Sequence, residues 1–284
     1  MRKITDDEIA FFDENGFVIV KGVLHAEELA NFQRESQHLI DEIQAGGGAD
    51  KWCSRGPEGI PYYLTYLHAN PNDFSLRLLA HPFIGDLLTR MVGADFIPCY
   101  EALVFKLPGN GSSVPWHRDD NSVTGDERVF NIDIYPDYST IANSCVWAVP
   151  GSHKWEHDKA MEWVKRGQAD FDLPGAVPAE LEPGDALLHH VKVLHGSTIN
   201  HSGELRRVVY FDNRSLSWND KYRWFSPQVL AERCLMYQYA LSLRKANPYT
   251  LDDETYDYAL PEGMPTYQEG MPLDLFCQRK PYHA

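Results

Sequence analysis

The segment Trp116-His117-Arg118-Asp119 contains the residues of this sequence that are best suited to chemistry. In an extended strand, side chains two positions apart point to the same face, so His117 and Asp119 can present an imidazole and a carboxylate to one point. A third ligand would complete a triad of two histidines and one carboxylate, which leaves coordination positions open on a non-heme ferrous ion. The His-x-Asp pattern alone is weak, because a chain with 12 His and 41 acidic residues produces it by chance.

The third ligand must come from a distant part of the chain. His195 lies 76 residues after Asp119 (195 − 119) and follows a run predicted to be a strand, from which it could reach back into a barrel. His189 and His190 are its rivals, because successive strand residues alternate faces and one of the two could point inward. Histidines in the middle of a strand are more often packed or solvent-facing, so we favour His195.

An arginine follows the third ligand along the chain. Arg206 lies eleven residues after His195 (206 − 195), and a guanidinium group binds a carboxylate in bidentate fashion. If the metal carried an α-keto acid, the far carboxylate of that acid would need such a partner near the iron. In isolation, Arg206 and Arg207 are better explained as a basic strand start beside Glu204.

Composition limits the classes of protein and partner. The chain has 284 residues, 43% hydrophobic and 12% aromatic, which is typical of a globular protein with a large core. Its net charge of −15 argues against nucleic acid or an anionic membrane surface as the main partner. The five cysteines are scattered and form no C-x-x-C pair, so we expect reduced thiols and a cytoplasmic location. An apolar run of ~20 residues is lacking, and so is an N-terminal signal core, so neither membrane insertion nor secretion is expected.

The ligands must be positioned by short strands in the middle of the chain. The predicted strands, separated by Gly, Pro, Asn and Asp turns, cover residues 100–107, 129–135, 145–149, 186–190 and 207–212. Strands at this spacing indicate a β-sandwich or barrel and not a parallel α/β sheet. We therefore predict one domain over 1–284, with a helical flank at about 1–95, a β core at about 96–214, and a helix and irregular tail at about 215–284.

Helical patterns surround this core. Thr5 and the acids after it predict a first helix that ends at Asn15-Gly16, before a short strand over residues 17–20. Further helices are predicted at about 25–43, 76–91 (divided at Pro82), 155–167 and 226–245. Residues 49–75 are predicted to form a loop whose aromatic part, 52–66, packs over the core or lines a pocket mouth.

Several motifs, taken in order, resemble the phytanoyl-CoA dioxygenase-like family over about residues 4–214. They are Phe11 with Gly16 to Leu24, His117-Arg118-Asp119, Pro150-Gly151-Ser152-His153-Lys154, Gly184-Asp185, and His195-Gly196-Ser197 with Asn200, Ser202 and Arg206. Two positions depart from the family pattern: Arg118 stands where Gln is common, and Asn143-Ser144 stands where Asn-Gly is usual. Neither departure touches the expected ligands, and Arg118 is expected to point away from the metal.

The resemblance implies a mainly β fold, a double-stranded β-helix (jelly-roll, cupin-like) core with flanking helices. It implies that His117, Asp119 and His195 bind Fe(II), and that Arg206, assisted by Ser197, binds a carboxylate of 2-oxoglutarate. With O₂, such an enzyme releases succinate and CO₂ while it oxidises, most often hydroxylates, a C–H bond of a small-molecule metabolite or natural product. Asp119 argues against halogenation, since related halogenases lack the carboxylate.

Several questions stay open at this level. Two alternatives to a 2-oxoglutarate-dependent dioxygenase remain. One is a cupin-type metalloenzyme that does not use 2-oxoglutarate and would not need Arg206. The other is a non-catalytic jelly-roll protein. Desaturation, cyclisation and epimerisation are alternatives to hydroxylation, and the protein is expected to be a monomer or homodimer. His153 is interpreted as part of a structural turn. Strand alternation leaves open whether four further residues line the pocket or point away from it: Cys99, Lys106, Asn131 and Trp147.

Overall fold

The computed structural model describes residues 2–56, 58–70, 73–109, 111–123, 127–167, 171, 173–251 and 253–276. The helices are α1 (Asp6–Asn15), α2 (Ala26–Gln44), α3 (Phe74–Leu79), α4 (Pro82–Met91), α5 (His157–Arg166), α6 (Leu216–Tyr222) and α7 (Pro227–Ala246). The strands are β1 (Phe17–Val20), β2 (Cys53–Arg55), β3 (Pro61–Thr65), β4 (Phe96–Lys106), β5 (Val114–His117), β6 (Phe130–Ile134), β7 (Val146–Ala148), β8 (Val177–Ala179), β9 (Ala186–His190), β10 (His195–Ser197) and β11 (Arg206–Ser215).

The strands form two antiparallel sheets. The larger has seven strands in the order β1-β9-β6-β11-β4-β3-β2, and the smaller has four in the order β5-β10-β7-β8. Side chains of both sheets line one cavity between them. This arrangement confirms the predicted jelly-roll core with flanking helices.

Alternation along the strands places hydrophobic core residues on one face and cavity-lining polar residues on the other. In β6, Phe130, Ile132 and Ile134 are buried in a core cluster that includes side chains of α2, α3, α4 and α7. The intervening residues Asn131 and Asp133 line the cavity instead. Because side chains in a strand have a period of two, one short segment both anchors the helices and supplies polar groups to the site.

The helices outside the core largely follow their sequence signals. Thr5 caps α1 through a capping box with Glu8, as its position predicts. Pro82 opens α4 just after α3 ends at Leu79, which confirms the predicted division of the 76–91 segment. None of the helices in the described ranges has the length and apolar character needed to cross a membrane.

The loop prediction for residues 49–75 is wrong in part. β2 and β3 form a hairpin there and extend the larger sheet, with β3 paired to β4 through Tyr63, Leu64 and Thr65. The aromatic and β-branched run favours a strand, and the Gly/Pro-rich stretch before it is a hairpin connection and not the middle of a long loop. β3, the strand next to the edge strand β2, therefore places Tyr63 beside Tyr210 of β11.

A buried ion-pair cluster attaches the C-terminal part of the chain to the N-terminal helices. The Arg244 guanidinium on α7 lies 2.7 Å from the Glu28 carboxylate on α2 and 2.8 Å from the Asp253 carboxylate. Glu28 and Arg244 are each only 1% exposed. These contacts support our proposal that the chain folds as the single predicted domain.

Arg244→Ala is expected to lower the free energy of unfolding by about 3–5 kcal/mol, because it leaves two buried carboxylates uncompensated. Chemical denaturation followed by circular dichroism measures the change, with the neighbouring exposed Lys245→Ala as a control that should stay near wild type. If the chain is one domain, the variant still unfolds in one transition. A second transition in either protein would contradict that proposal.

Candidate active site

Two neighbouring strands of the smaller sheet bring two histidines together. In the antiparallel pair of β10 with β5, His195 stands directly opposite His117, and their ring centroids are 4.3 Å apart. A Cβ on Gly196 would lie 2.8 Å from the Val114 carbonyl oxygen, so glycine at this position permits the close approach of the strands. The glycine of the His-Gly-Ser motif thus has a geometric role.

Asp119 completes a group of three ligand-type side chains. One potential ligand atom from each of His117, Asp119 and His195 lies within 4.8 Å of the others. Within the described ranges, this is the one group of three or more His, Cys, Asp or Glu residues with such spacing. The structure therefore brings together the three residues predicted from the sequence, with no competing set among the residues that it describes.

The ring nitrogens of both histidines are arranged for metal binding. The Nδ1 atom of His117 lies 2.8 Å from the carbonyl oxygen of Pro115, and Nδ1 of His195 lies 3.0 Å from that of Val193. An Nδ1–H that donates to a carbonyl leaves the Nε2 lone pair available, which is the usual second-layer support of a metal-bound histidine. Both Nε2 atoms face Oδ1 of Asp119, at 3.3 Å and 3.7 Å.

The charges of the cluster also suit a cation. Burial, and then the neighbouring His117, lower the pKa of His195 to about 3, so this imidazole is neutral. Burial would raise the pKa of Asp119, but the surrounding imidazoles of His195, His117 and His189 hold it well below its usual value. A neutral imidazole and an ionised carboxylate are the forms that bind metal, so the donor set fits Fe(II).

A second feature of the cavity is a pair of buried basic side chains, which are both cationic when Lys106 is protonated. Arg206 on β11 stands opposite Lys106 on β4, and they are 4% and 2% exposed. Arg206 donates from Nη1 to the Ser144 carbonyl at 2.9 Å, whereas its Nε is buried without a hydrogen-bond partner. Lys106 donates to the Ser144 hydroxyl at 2.9 Å and to the Thr198 carbonyl.

Within the described ranges, no carboxylate forms an ion pair with either of these two cations. Buried charges without a counter-ion are unfavourable, so the pair fits an anionic ligand. Burial, followed by the charge of Arg206, lowers the pKa of Lys106 to about 6. The proton on Lys106 is therefore sensitive to the charges placed beside it.

The triad and the cation pair face the same cavity. Its lining includes His117, Asp119, His195, Lys106, Ser197, Arg206, Asn131, Asp133, Tyr135, His189 and Tyr210. The His117 and Asp119 side chains remain 38% and 29% exposed, whereas that of His195 is 10% exposed. The cluster is therefore reached from the side of His117 and Asp119.

Two of the histidines considered from sequence lie outside the cluster. His190 has Nε2 at 3.0 Å from the Glu127 carbonyl and packs against Phe12, on the opposite face of β9. His153 has Nε2 at 3.3 Å from the Asp13 carbonyl, which agrees with its interpretation as a turn residue.

The remaining residues singled out from sequence divide between cavity and core. Arg118 donates to the carbonyls of Ser152 and Trp155 and points away from the triad, as expected. Lys106 and Asn131 line the cavity, whereas Cys99 and Trp147 pack in hydrophobic clusters.

The sequence missed the role of His189, which was considered only as a rival ligand. Its Nε2 lies 3.0 Å from Oδ2 of Asp119, and its Nδ1 lies 2.8 Å from Oδ2 of Asp133. Burial would lower the pKa of His189, but Asp133 and Asp119 raise it to about 10. Strand alternation could have placed Asp133 and His189 on one face, but the sequence does not show that they meet Asp119.

Comparison with known proteins gives consistent matches. The sequence model of the family described as phytanoyl-CoA dioxygenase (PhyH) matches residues 12–208. Phytanoyl-CoA dioxygenase 1 of Oryza sativa subsp. japonica is 23% identical in a match that covers 80% of this chain and 95% of that protein.

Two solved structures are also similar. AviO1 from Streptomyces viridochromogenes Tue57 has a TM-score of 0.64 at 26% identity, over 76% of this chain and 97% of that one. EctD from S. alaskensis, solved with 2-oxoglutarate and 5-hydroxyectoine, has a TM-score of 0.63 at 20% identity, over 75% and 77%. At 20% identity, the similarity to EctD shows a shared fold.

Proposed function

Because the chain belongs to the phytanoyl-CoA dioxygenase family and is thus a 2-oxoglutarate-dependent non-heme iron dioxygenase, we propose that it hydroxylates a C–H bond of a small-molecule metabolite or natural product. Family membership decides against the two alternatives left open by the sequence, an enzyme independent of 2-oxoglutarate and a non-catalytic protein. The observation that carries the proposal is the meeting of the triad and the buried cation pair in one cavity.

His117, Asp119 and His195 are the residues that would hold Fe(II). With Fe(II), 2-oxoglutarate and O₂ bound, the site would supply oxidation chemistry: one oxygen atom would enter the C–H bond to give an alcohol, and the other would end in succinate as 2-oxoglutarate loses CO₂. Three protein ligands leave positions open for the co-substrate and O₂. The protein contributes ligation, orientation and exclusion of water from the cavity.

Arg206 and Lys106 would bind the far carboxylate of 2-oxoglutarate. The unpartnered Nε of Arg206 offers a charge-assisted hydrogen bond, and Lys106 keeps one N–H beyond those given to Ser144 and Thr198. Ser197 lines the same cavity and would donate its hydroxyl. A dianionic co-substrate would compensate both buried cations.

Three tyrosines would form part of the substrate wall. Tyr210 lines the cavity, the Tyr63 ring lies 6.1 Å from that of Tyr210, and the hydroxyls of Tyr63 and Tyr100 are 2.7 Å apart. Such a wall offers aromatic faces and hydroxyl groups to a small molecule. Tyr63 belongs to the aromatic segment 52–66, which is predicted from sequence either to pack over the core or to line a pocket mouth.

Succinate release tests the proposed function. The protein with Fe(II), 2-oxoglutarate and O₂ is incubated with a panel of small molecules, and succinate and product masses are measured. We expect succinate in proportion to a product that has gained one oxygen atom. A coupled product that has lost two hydrogens, or an isomer, would contradict hydroxylation while preserving the dioxygenase class. No succinate with any substrate would contradict the proposal as a whole.

Binding of 2-oxoglutarate is expected to weaken as the pH rises. Free Lys106, with a pKa of about 6, must take up a proton when a carboxylate arrives, because the carboxylate raises this pKa. Affinity is therefore fully favoured below pH 6 and falls by up to about tenfold per pH unit above it, until the pKa of the bound state is reached.

Titration of 2-oxoglutarate into the metal-loaded protein at several pH values measures this effect. Lys106→Met should flatten the dependence, with its largest loss of affinity near pH 6. The exposed Lys165→Met is the matched control and should keep the wild-type slope. A wild-type slope in Lys106→Met would contradict the role assigned to Lys106.

A further inference from the structure

The two oxygens of the Asp119 carboxylate have different surroundings. Oδ1 faces the Nε2 atoms of His117 and His195. Oδ2 is 2.9 Å from the Asn131 side-chain amide, which donates to it, and 3.0 Å from Nε2 of His189. From this difference, and on the basis of the proposed function, we propose that His189, braced by Asp133, is a positioning residue that makes Oδ1 the single metal-binding atom of Asp119.

Strand pairing fixes the position of these partners. Asn131 on β6 stands directly opposite His189 on β9, so the two side chains share a face of the larger sheet. Asp133 is two residues further along β6 and lies on that same face. Side chains of the larger sheet therefore contact one oxygen of Asp119, while His117 and His195 of the smaller sheet face the other.

The His189 ring is held at both nitrogens. Nδ1 lies 2.8 Å from Oδ2 of Asp133, which is 2% exposed, and Nε2 lies 3.0 Å from Oδ2 of Asp119. Each ring nitrogen therefore has a carboxyl oxygen within hydrogen-bond distance. These two contacts fix the ring orientation and direct Nε2 at the oxygen of Asp119 that does not face the other imidazoles.

Occupation of Oδ2 has a consequence for coordination. A carboxylate that binds through both oxygens would fill a position that the two-histidine, one-carboxylate triad otherwise leaves open. With Oδ2 engaged by His189 and Asn131, that position stays free for co-substrate or O₂. Outer partners of metal ligands typically contribute 10–100-fold to metal affinity or activity.

Mn(II) binding to the full chain tests the proposal without turnover. Electron paramagnetic resonance gives the Kd, and line broadening in ¹⁷O-labelled water reports the bound waters. For His189→Phe, which removes both N–H groups, we expect Mn(II) binding weaker by about 10–100-fold and fewer bound waters than in wild type. His189→Gln keeps a donor near the Nε2 position and should restore much of both properties.

Controls separate the possible failures. The exposed His201→Gln should match wild type, and circular dichroism should show that each variant is folded. Wild-type affinity and water number in His189→Phe would overturn the positioning role, as would a His189→Gln protein that is no better than His189→Phe. If wild type itself bound no Mn(II), the triad assignment of the proposed function would fail instead.

Discussion

Asp119→Ala is expected to reduce succinate formation by about a thousandfold or more. The substitution removes the only anionic member of the triad and leaves two imidazoles to hold the metal. A bound metal ion supplies several kilocalories per mole of stabilisation to such reactions, and a loss of about 4 kcal/mol corresponds to about a thousandfold in rate. Metal content after dialysis should fall in parallel.

The neighbouring carboxylate provides the control for this substitution. Asp120 accepts hydrogen bonds from the backbone and hydroxyl of Ser122 and is not part of the triad. Asp120→Ala should therefore retain bound iron and most of the activity. An Asp119→Ala protein that kept a tenth of the wild-type rate would show that Asp119 is not a ligand.

Arg206→Ala is expected to weaken 2-oxoglutarate binding by about 30–4000-fold, with little change in metal affinity. Truncation of one partner of a buried, hydrogen-bonded charge pair costs about 2–5 kcal/mol, and each 1.4 kcal/mol is about tenfold. The loss is expected in the KM for 2-oxoglutarate, because in the proposed binding mode Arg206 would contact the carboxylate that does not react.

Arg206→Lys separates charge from geometry in this position. It keeps a cation but lacks the planar fork, so its affinity for 2-oxoglutarate should fall between those of wild type and Arg206→Ala. Thermal melts of both variants test whether the β11 strand is intact. An unchanged KM in a folded Arg206→Ala protein would contradict the assignment of this site to the co-substrate.

The sequence was sufficient to predict the residues that meet at the site, for a physical reason. His117 ends β5, Asp119 follows two residues later, and His195 lies in the partner strand, so a two-residue spacing and one strand pairing determine most of the geometry. The number and spacing of the short strands indicate a β-sandwich or barrel, and the family resemblance implies a jelly roll in particular. Helix boundaries followed from local signals such as the Thr5 cap and Pro82.

Features that depend on contacts across the two sheets could not be predicted. The contact of His189 with Asp119 depends on how β9 of the larger sheet faces the end of β5 in the smaller one. Pattern alone assigned His189 a packed or solvent-facing role. The burial of Lys106 beside Arg206 depends instead on a register within the larger sheet, that of β4 with β11, which no local signal gives.

Anaerobic titration of the Fe(II)-loaded protein with 2-oxoglutarate tests the central claim most directly. The account predicts a visible metal-to-ligand charge-transfer absorption that saturates at one 2-oxoglutarate per iron, because the triad and the Arg206–Lys106 pair lie in one cavity. At the same concentrations, the absorption should be lost in Asp119→Ala and greatly weakened in Arg206→Ala. Folded, iron-loaded wild-type protein that gave no such absorption would contradict the account.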